Sequence, residues 1–584
     1  MVLPILAATM LSLNGSWEFH FAEGQAAPQV ASPDFVATDT MVVPGCYDAM
    51  PKWFMKRGTG LYRRTFTLDR ELPAAWLVID GLGLYGRFWI DGREVGVDDL
   101  PWSRVELATG ALAAGTHTIV AAVDNRFDWS YQKLLRPYYN FQCWGGFFHG
   151  VSLTTDNRKL FVRTRDYAKG TVEIEIANEM KVEGERRKLV FDGKNEVEVV
   201  FKNGRATVNV PDFKLWSPDS PNLHTVLLKQ SNNLNNPNNR TILSARFGIR
   251  TIEAKNRGLY LNGERIFLKG VNRHDQLLQL GASTPEGFML IDLQNLKAMG
   301  GNFIRGAHYS QSQRFLDLCD EMGVLVWEES LGWGNGKKYN RIDGVNEMED
   351  SGFVDGQVRQ TRLMVRNSFN HPSVIIFAFL NEFASDTKVG KAVADRLIGT
   401  IRAEDSGRLV TYACSCLYGD LANENTDIIA INTYPGTIEG FPGLPEDLKE
   451  KMRTMPKNGI NWVTDYFRKR YPEKTMILSE IGVGAIYGHH DSSAPFYTEE
   501  FQDEYNVNAA EIAYENPDLA GIAFWQLFDT RSNYRDCGVD GKKRREAMSY
   551  AGLFTTDRRP KRVVKTLTGL FKEKTPANMA MAEQ

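Results

Sequence analysis

The stretch Val374-Ile375-Ile376-Phe377-Ala378-Phe379-Leu380-Asn381-Glu382 decides the fold prediction for this chain. Its apolar part is rich in β-branched and aromatic residues, which is typical of a strand buried on both faces in a parallel sheet. A second apolar run, Thr475–Ser479, leads in the same way to Glu480. The sequence therefore predicts a parallel sheet whose strands present acidic residues at their carboxyl ends.

Residues 253–584 alternate apolar strands with amphipathic helices, which indicates a series of βα units. Eight strand candidates follow one another: Ile266–Gly270, Asn302–Gly306, Val324–Trp327, Val374–Phe379, Leu409–Ala413, Ile428–Ile431, Met476–Leu478 and Ile522–Trp525. The helix after the first strand has Thr284 as a candidate N-cap, Pro285 at its first position and Gly300 beyond its end. Eight such units predict a (β/α)8 TIM barrel, in which functional side chains lie at the carboxyl ends of the strands.

The N-terminal residues carry a different pattern, with short strands separated by Gly, Pro and Asp turns. Residues 1–155 predict an all-β sandwich on this spacing. Residues 156–252 predict a second β-sandwich, because segments such as Val172–Ile176 alternate apolar and polar residues. The fold class expected is thus a multidomain protein of two β-sandwiches followed by an α/β barrel.

Composition excludes several classes of partner. The formal net charge of −3 gives no field that would attract nucleic acid, and no apolar stretch is long enough to span a membrane. The six cysteines have no zinc-type spacing and are expected to be free thiols. The apolar start, Met1–Leu13, lacks a basic segment and a clear cleavage site, so we expect a first strand rather than a secretion signal. A cytoplasmic location is expected, and the periplasm is the alternative.

Polar side chains follow seven of the predicted barrel strands. They are Asn272, Arg273 and His274 after the first strand, His308 after the second, Glu329 after the third, Asn381 and Glu382 after the fourth, Asn432 and Tyr434 after the sixth, Glu480 after the seventh and Trp525 at the end of the eighth. Each alone has a structural alternative: a salt bridge, a hydrogen-bonded buried histidine or a core aromatic residue. Their convergence on one rim predicts a functional site.

The two carboxylates suggest the chemistry of this site. Acetal hydrolysis needs one carboxyl group that protonates the leaving oxygen and a second, ionised one that attacks the sugar. Tyr434 is expected to orient Glu480, and Arg273 to keep Glu480 ionised through its opposite charge. Trp525 is expected to stack under the sugar ring.

The chain resembles glycoside hydrolase family 2, the β-galactosidase and β-glucuronidase family, over nearly its whole length. The resemblance is carried by Leu13–Phe19, Val43–Gly45, Gly145–Val151, Leu215–Leu223, Phe247–Arg250, Lys269–Asp275, Arg305–Tyr309, Asn370–Glu382 and Leu478–Gly482. It implies a sugar-binding jelly roll in residues 1–155, an immunoglobulin-like sandwich in 156–252 and a catalytic barrel in 253–584. It also implies Glu382 as acid/base, Glu480 as nucleophile and Asp166 as a contact to a sugar hydroxyl. Family members are often homo-oligomers.

The sequence also departs from the family. The Asn-X-Lys pair that grips a uronate carboxylate in the resembling β-glucuronidases is replaced by Ser549-Tyr550-Ala551. The region after Glu329 lacks the histidine of the magnesium segment found in large β-galactosidases, so neither a metal nor a cofactor is expected. We therefore expect a retaining exo-β-glycosidase that acts on a terminal β-galactoside.

Two alternatives remain open. The segment Arg531–Arg545 is strongly basic, and Arg531 or Arg535 could supply a substitute carboxylate grip, since a guanidinium pairs bidentately with a carboxylate. This would make the protein a β-glucuronidase or β-galacturonidase, whereas the structural alternative is a solvated loop. A different class of answer is a catalytically inactive carbohydrate-binding homologue. Carbohydrate is the expected partner in every case.

Overall fold

The computed structural model describes residues 10–30, 33–178, 185–229, 241–435, 456–532 and 547–580. Two antiparallel β-sandwiches precede a barrel of parallel strands, so the fold class expected from the sequence is confirmed. The domain boundaries at 155/156 and 252/253 stay predictions. In the described part of the chain, every helix is too short or too polar to span a lipid bilayer. The five cysteines described there are free thiols.

The first sandwich consists of a six-stranded and a four-stranded sheet. The larger sheet contains, in spatial order, Asp39–Val43, Gly15–Glu23, Gly58–Leu68, Gly115–Asp124, Tyr85–Ile90 and Arg93–Asp98. The smaller sheet contains Met10–Ser12, Val151–Thr154, Leu72–Asp80 and Arg104–Leu112. Alternate residues of both sheets face each other, and the buried side chains of Trp17, Phe19, Tyr62 and Leu77 fill the space between them.

The second sandwich is smaller and continues the chain directly. Its three-stranded sheet contains Lys159–Asp166, Thr171–Ala177 and Arg205–Asn209. Its four-stranded sheet contains Asn195–Phe201, Glu185–Phe191, His224–Lys229 and Thr241–Phe247. A short antiparallel meander, Ile252–Lys255, Gly258–Leu261 and Glu264–Ile266, then leads into the barrel.

The barrel closes through parallel strands that we number β1 to β8. They are β1 (Leu268–Arg273), β2 (Phe303–Gly306), β3 (Leu325–Trp333), β4 (Val374–Asn381), β5 (Leu409–Thr411 and Ala413–Cys414), β6 (Ile428–Asn432), β7 (Thr475–Ile481) and β8 (Leu519–Phe524). The first segment of β5 pairs with β4 and the second with β6, while β1 pairs with both β2 and β8. All eight predicted strands therefore overlap an observed strand.

Helices cover the outside of the barrel. Those described are Glu286–Ala298, Gln313–Met322, Ser351–Asn367, Lys388–Glu404, Pro456–Arg470, Glu499–Glu515 and Arg562–Glu573, with a short turn at Ala577–Ala580. The first begins one residue later than predicted, because Pro285 is the N-cap and Thr284 lies outside the helix. Gly300 has φ +83° just after this helix, a conformation that glycine adopts at little cost.

The two sandwiches contact opposite ends of the barrel. In the second sandwich region, Arg250 donates through Nε to the carbonyl oxygen of Pro372 at 2.9 Å, just before β4 begins. In the first, Trp102 stacks on Tyr309 with ring centroids 4.4 Å apart, beyond the carboxyl end of β2. The first sandwich therefore lies at the end where a barrel site is expected, and the second lies at the other end.

Candidate active site

Arg305, in the middle of β2, is the centre of the hydrogen-bond network at the carboxyl end of the barrel. Its buried guanidinium donates to Asn272 Oδ1 at 2.9 Å and to Glu480 Oε1 at 2.5 Å. It also donates to Glu329 Oε2 at 2.8 Å and to Asn381 Oδ1 at 2.9 Å. Residues from the four strands β1, β3, β4 and β7 are thus held by one planar cation, whose fork of donors suits several acceptors at fixed angles.

Glu480 lies near the end of β7 and is almost fully buried. Its Oε2 accepts a hydrogen bond of 2.6 Å from the hydroxyl of Tyr434, which follows β6. Burial raises the pKa of Glu480 to about 7, although Arg305 and the Tyr434 hydrogen bond lower it. The negative charge of Glu382 raises it further, so the two carboxyl groups are electrostatically coupled.

Glu382 follows the last residue of β4, and its backbone explains how it reaches the site beside Asn381. Neighbouring residues of a strand normally face opposite sides. Leu380 and Glu382 have φ values of 44° and 52°, in the left-handed region, which interrupts this alternation. Asn432 consequently donates through Nδ2 to Asn381 Oδ1 at 3.1 Å and to Glu382 Oε1 at 2.9 Å. Such backbone conformations are concentrated at functional sites.

Aromatic rings line the space beside these carboxyl groups. His308 stacks on Trp525, with centroids 5.1 Å apart, and His274 packs edge-on against the same indole at 5.3 Å. Burial and the nearby Arg305 hold the pKa of His308 well below its usual range, so this imidazole is neutral. The ring of Phe141, from the first sandwich, lies 5.4 Å from His274 and 5.9 Å from His308. An aromatic wall of this kind suits the C–H face of a sugar.

The expectation that Arg273 pairs with Glu480 is wrong, because Arg305 makes this ion pair. Arg273 donates to Asp292 Oδ2 at 3.0 Å and to Gln311 Oε1 at 3.0 Å instead. Asn272, one residue earlier in β1, faces the barrel interior, so alternation directs Arg273 to the outside of the barrel wall. Sequence position alone could not distinguish two neighbouring residues that face opposite sides.

The placement of Asp166 in the site is also wrong. Asp166 lies in the second sandwich, is 36% exposed and pairs with Lys169 Nζ at 3.0 Å. That sandwich contacts the amino-terminal end of the barrel, whereas the carboxylates lie at the carboxyl end. The first sandwich reaches the site instead through Phe141, which sequence reasoning missed. The aromatic content of the connecting segment Tyr138–Trp144 was the available signal.

Arg531 lies on the rim after β8, and its surroundings differ from those of Arg305. Its guanidinium carbon is 4.9 Å from the ring of Phe54 in the first sandwich. Its Nε is buried, and the described residues provide no hydrogen-bond partner for it. The next residue, Ser532, donates through Oγ to the carbonyl oxygen of Asn140 at 3.1 Å. Arg535 lies outside the described residues.

A nearby lysine cannot replace the missing Asn-X-Lys pair. Lys561 Nζ donates to Asp529 Oδ1 at 2.7 Å, to the carbonyl oxygen of Ala485 at 2.7 Å and to that of Tyr550 at 3.0 Å. An ammonium has three donors, so all are used within the protein. Arg531 therefore has the more available donor of the two.

The described residues contain one group of three potential metal ligands, and it lies outside this site. Asp317, Asp320 and His371 have ligand atoms within 4.8 Å of one another. Arg246 forms an ion pair with Asp317, and His371 Nδ1 lies 2.6 Å from Asp320 Oδ2. Since Arg246 belongs to the second sandwich, the group connects that sandwich to the barrel through hydrogen bonds.

Comparison with protein families now identifies the chain. The model described as "Glycosyl hydrolases family 2, TIM barrel domain" matches residues 252–574, and the model described as "Glycosyl hydrolases family 2" matches residues 151–250. The chain belongs to glycoside hydrolase family 2. The barrel whose rim carries Glu382 and Glu480 is thus the TIM barrel of this family.

The sequence identity to individual members of the family is low. The chain is 27% identical over 392 residues to a β-glucuronidase of Streptococcus agalactiae, covering 65% of this chain and 62% of that protein. It is 25% identical over 459 residues to the β-glucuronidase of Sus scrofa, covering 75% and 64%. It therefore spans less than two thirds of the length of these curated relatives.

Solved structures show the same fold along the whole chain. A family 2 β-galacturonidase from Eisenbergiella tayi bound to galacturonate has a TM-score of 0.81 and 23% identity, covering 99% of this chain and 100% of that chain. A β-glucuronidase from Faecalibacterium prausnitzii has a TM-score of 0.83 and 22% identity, covering 99% of each chain.

Proposed function

We propose that this protein is a retaining exo-β-glycosidase that removes a terminal β-linked uronic acid, a glucuronide or a galacturonide. The observation that carries the proposal is the pair of carboxyl groups, Glu382 and Glu480, on one hydrogen-bond network at the carboxyl end of the barrel. Membership of family 2 supports hydrolysis of an O-glycosyl bond.

The mechanism consists of two displacements at the anomeric carbon. The carboxylate of Glu480 attacks the anomeric carbon while the bond between that carbon and the leaving oxygen breaks. Glu382 gives its proton to the leaving oxygen. A covalent ester of the sugar with Glu480 results. Glu382 then takes a proton from water, the water oxygen attacks the anomeric carbon, and the carboxylate of Glu480 is released. The configuration of the sugar is retained.

The surroundings of Glu480 are suited to both steps. Attack requires its ionised form, which Arg305 and Tyr434 stabilise through hydrogen bonds to different oxygens. Burial removes water from the carboxylate of Glu480, and this loss of solvation brings its pKa to about 7. A poorly solvated carboxylate is also a better nucleophile.

Two observations favour a uronide over the β-galactoside expected from the missing Asn-X-Lys pair. The named relatives are β-glucuronidases, and the E. tayi structure is of a β-galacturonidase with galacturonate bound. Arg531 also lies on the rim, and its Nε has no hydrogen-bond partner among the described residues, so this guanidinium is not fully committed to protein acceptors. The first sandwich, through Phe141, closes one side of the site, which supports exo action on a terminal sugar.

Initial rates on 4-nitrophenyl β-glycosides test the proposal. The panel contains the glucuronide, galacturonide, galactoside, glucoside, mannoside and fucoside. A uronide is expected to have the highest kcat/KM, and Arg531→Gln is expected to lower this value about 100-fold, since a charge-assisted pair is lost. The same substitution should leave any activity on the neutral galactoside within about threefold, because that sugar has no carboxylate.

Arg559→Gln is the matched control, because Arg559 is an exposed arginine that pairs with Asp557. It should leave the whole profile unchanged. A galactoside-led profile would contradict the uronide assignment and restore the neutral substrate. Sugar binding without turnover of any glycoside would favour the catalytically inactive carbohydrate-binding alternative.

A further inference from the structure

Lys337 is a cation beside Glu382 that the proposed mechanism does not use. It follows β3 in the turn Gly334–Lys337, and its Nζ donates to Ser415 Oγ at 2.7 Å. Ser415 comes directly after β5, whose Ala413 accepts a hydrogen bond from the backbone N–H of Glu382 at 3.0 Å. The side chain of Lys337 therefore reaches from β3 to β5 across the end of β4, where Glu382 lies.

The turn that carries Lys337 is fixed by buried groups. Asn335 Nδ2 donates to Tyr139 at 2.9 Å, and the backbone N–H of Gly336 donates to Glu347 Oε2 at 3.0 Å. Tyr139 belongs to the segment of the first sandwich that also carries Phe141. The position of the ammonium is thus defined by the same interface that closes the site.

The charge of Lys337 is not neutralised within the part of the chain that the structure describes. No carboxylate there lies within ion-pair distance, 4.0 Å, of its Nζ, and Ser415 is a neutral partner. Burial lowers the pKa of Lys337 and the negative charge of Glu382 raises it; the pKa lies above its ordinary value, so the ammonium is charged at neutral pH. A charged, partly exposed group of this kind can pair with an anion.

The position of Lys337 relative to Glu382 determines which part of a bound substrate Lys337 can contact. In a double displacement the acid/base is next to the leaving oxygen, and the nucleophile is on the opposite face of the sugar. Lys337 interacts with Glu382, whereas Glu480 is held by Arg305 and Tyr434 from the other strands. A group beyond Glu382 therefore faces the leaving group.

We propose that Lys337 and Tyr339 form a leaving-group subsite that selects an anionic group, a carboxylate or sulfate carried by the sugar or aryl acid to which the terminal residue is attached. Tyr339 is 41% exposed, so its ring offers a face to the leaving group. Lys337 Nζ lies 5.8 Å from the centre of that ring, close enough for one ligand to contact both. This subsite rests on the proposed glycosidase function, but not on which terminal sugar is cleaved.

The test compares two substrates that differ in one charge. Each carries the sugar that gives the highest rate in the nitrophenyl panel, attached to 3-carboxy-4-nitrophenol or to the neutral 3-carbamoyl-4-nitrophenol. The wild-type protein is expected to show a kcat/KM about tenfold higher for the carboxylate. Lys337→Met should abolish this preference by lowering only the carboxylate value, and Lys338→Met, which changes an exposed neighbouring lysine, should retain it.

Other outcomes overturn the proposal. Equal wild-type rates on the two substrates mean that the leaving group is not selected by charge, while the glycosidase function stands. Equal losses on both substrates in Lys337→Met mean that the lysine only supports the position of Glu382. Inactivity on every sugar removes the proposed function and the subsite together.

Discussion

Two arginines at the carboxyl end of the barrel, one inside the strands and one on the rim, differ in how their hydrogen-bond donors are used. Inside, Arg305 is fully buried and has acceptors on Asn272, Glu329, Asn381 and Glu480. On the rim, Arg531 has a buried Nε that finds no partner among the described residues. The guanidinium of Arg305 is fully engaged within the protein, whereas that of Arg531 keeps one donor without a protein acceptor among these residues.

This difference between the two arginines follows from their locations, one in a buried strand and the other in a loop after a strand. Buried charges in a low-dielectric interior must be paired and hydrogen-bonded, so the guanidinium of Arg305 is paired with Glu329 and Glu480 inside the barrel. Loops at the carboxyl ends of the strands carry the groups that bind ligands, so a side chain there can keep a donor that is not committed to a protein acceptor. We infer that residues of the barrel strands determine the type of reaction, whereas residues of the loops determine which substrate is bound.

The strongest test of this division compares two buried arginines in neighbouring strands. Arg305→Lys keeps the charge but loses the planar fork, so it cannot hold Glu329 and Glu480 together. We expect kcat to fall about 100-fold or more, since the attacking carboxylate loses its alignment and stabilisation. Arg273→Lys should lower the melting temperature, because its bonds to Asp292 and Gln311 are lost, but should leave kcat within about threefold.

Steady-state kinetics and thermal unfolding of both variants provide the measurement. A similar loss of kcat in both would break the comparison, because it would mean that the outer face of the wall controls the reaction as strongly as the inner face. Unchanged kcat in Arg305→Lys would remove Arg305 from the account of the site.

A smaller effect is expected from Tyr434→Phe. The tyrosine hydrogen bond lowers the pKa of Glu480 from the value that burial alone would give. Its removal should raise this pKa, so the acidic limb of kcat/KM, which is expected near pH 7 in the wild-type protein, should move to higher pH by about one unit. Activity well above this limb should change little, because Arg305 still stabilises the ionised form.

The pH dependence of kcat/KM for wild type and variant gives the result directly. The sign is decisive, since Glu480 must be ionised to attack and a raised pKa requires a higher pH to ionise it. An acidic limb that stays in place or moves to lower pH would show that Tyr434 does not stabilise the carboxylate.

The sequence predicted the barrel well because each buried strand is a nearly continuous apolar run bounded by turn residues. All eight runs, including the one that ends at Glu382, overlap observed strands. Runs of this kind report burial on both faces, which only a covered parallel sheet provides. The carboxylates could be identified because they interrupt such runs at one end.

Other parts of the site could not be read in this way. Whether Asn272 or Arg273 faces the interior depends on the register of β1, and a shift of one residue reverses the answer. Arg305 is a charged residue inside an apolar strand, and this pattern indicates a buried cation that needs acidic partners. The contribution of Phe141 depends on how the first sandwich docks on the barrel, which no local pattern encodes.

The central claim is that Glu480 forms a covalent bond to the sugar, and trapping this intermediate tests it most directly. A 2-deoxy-2-fluoro glycosyl fluoride of the preferred sugar slows both steps, because the fluorine destabilises the cation-like transition states, while its fluoride still departs. Mass spectrometry of the digested protein should find one added fluorosugar on the peptide that contains Glu480, and Glu480→Gln should acquire none. An adduct on another residue, or a product of inverted configuration without any adduct, would contradict the account.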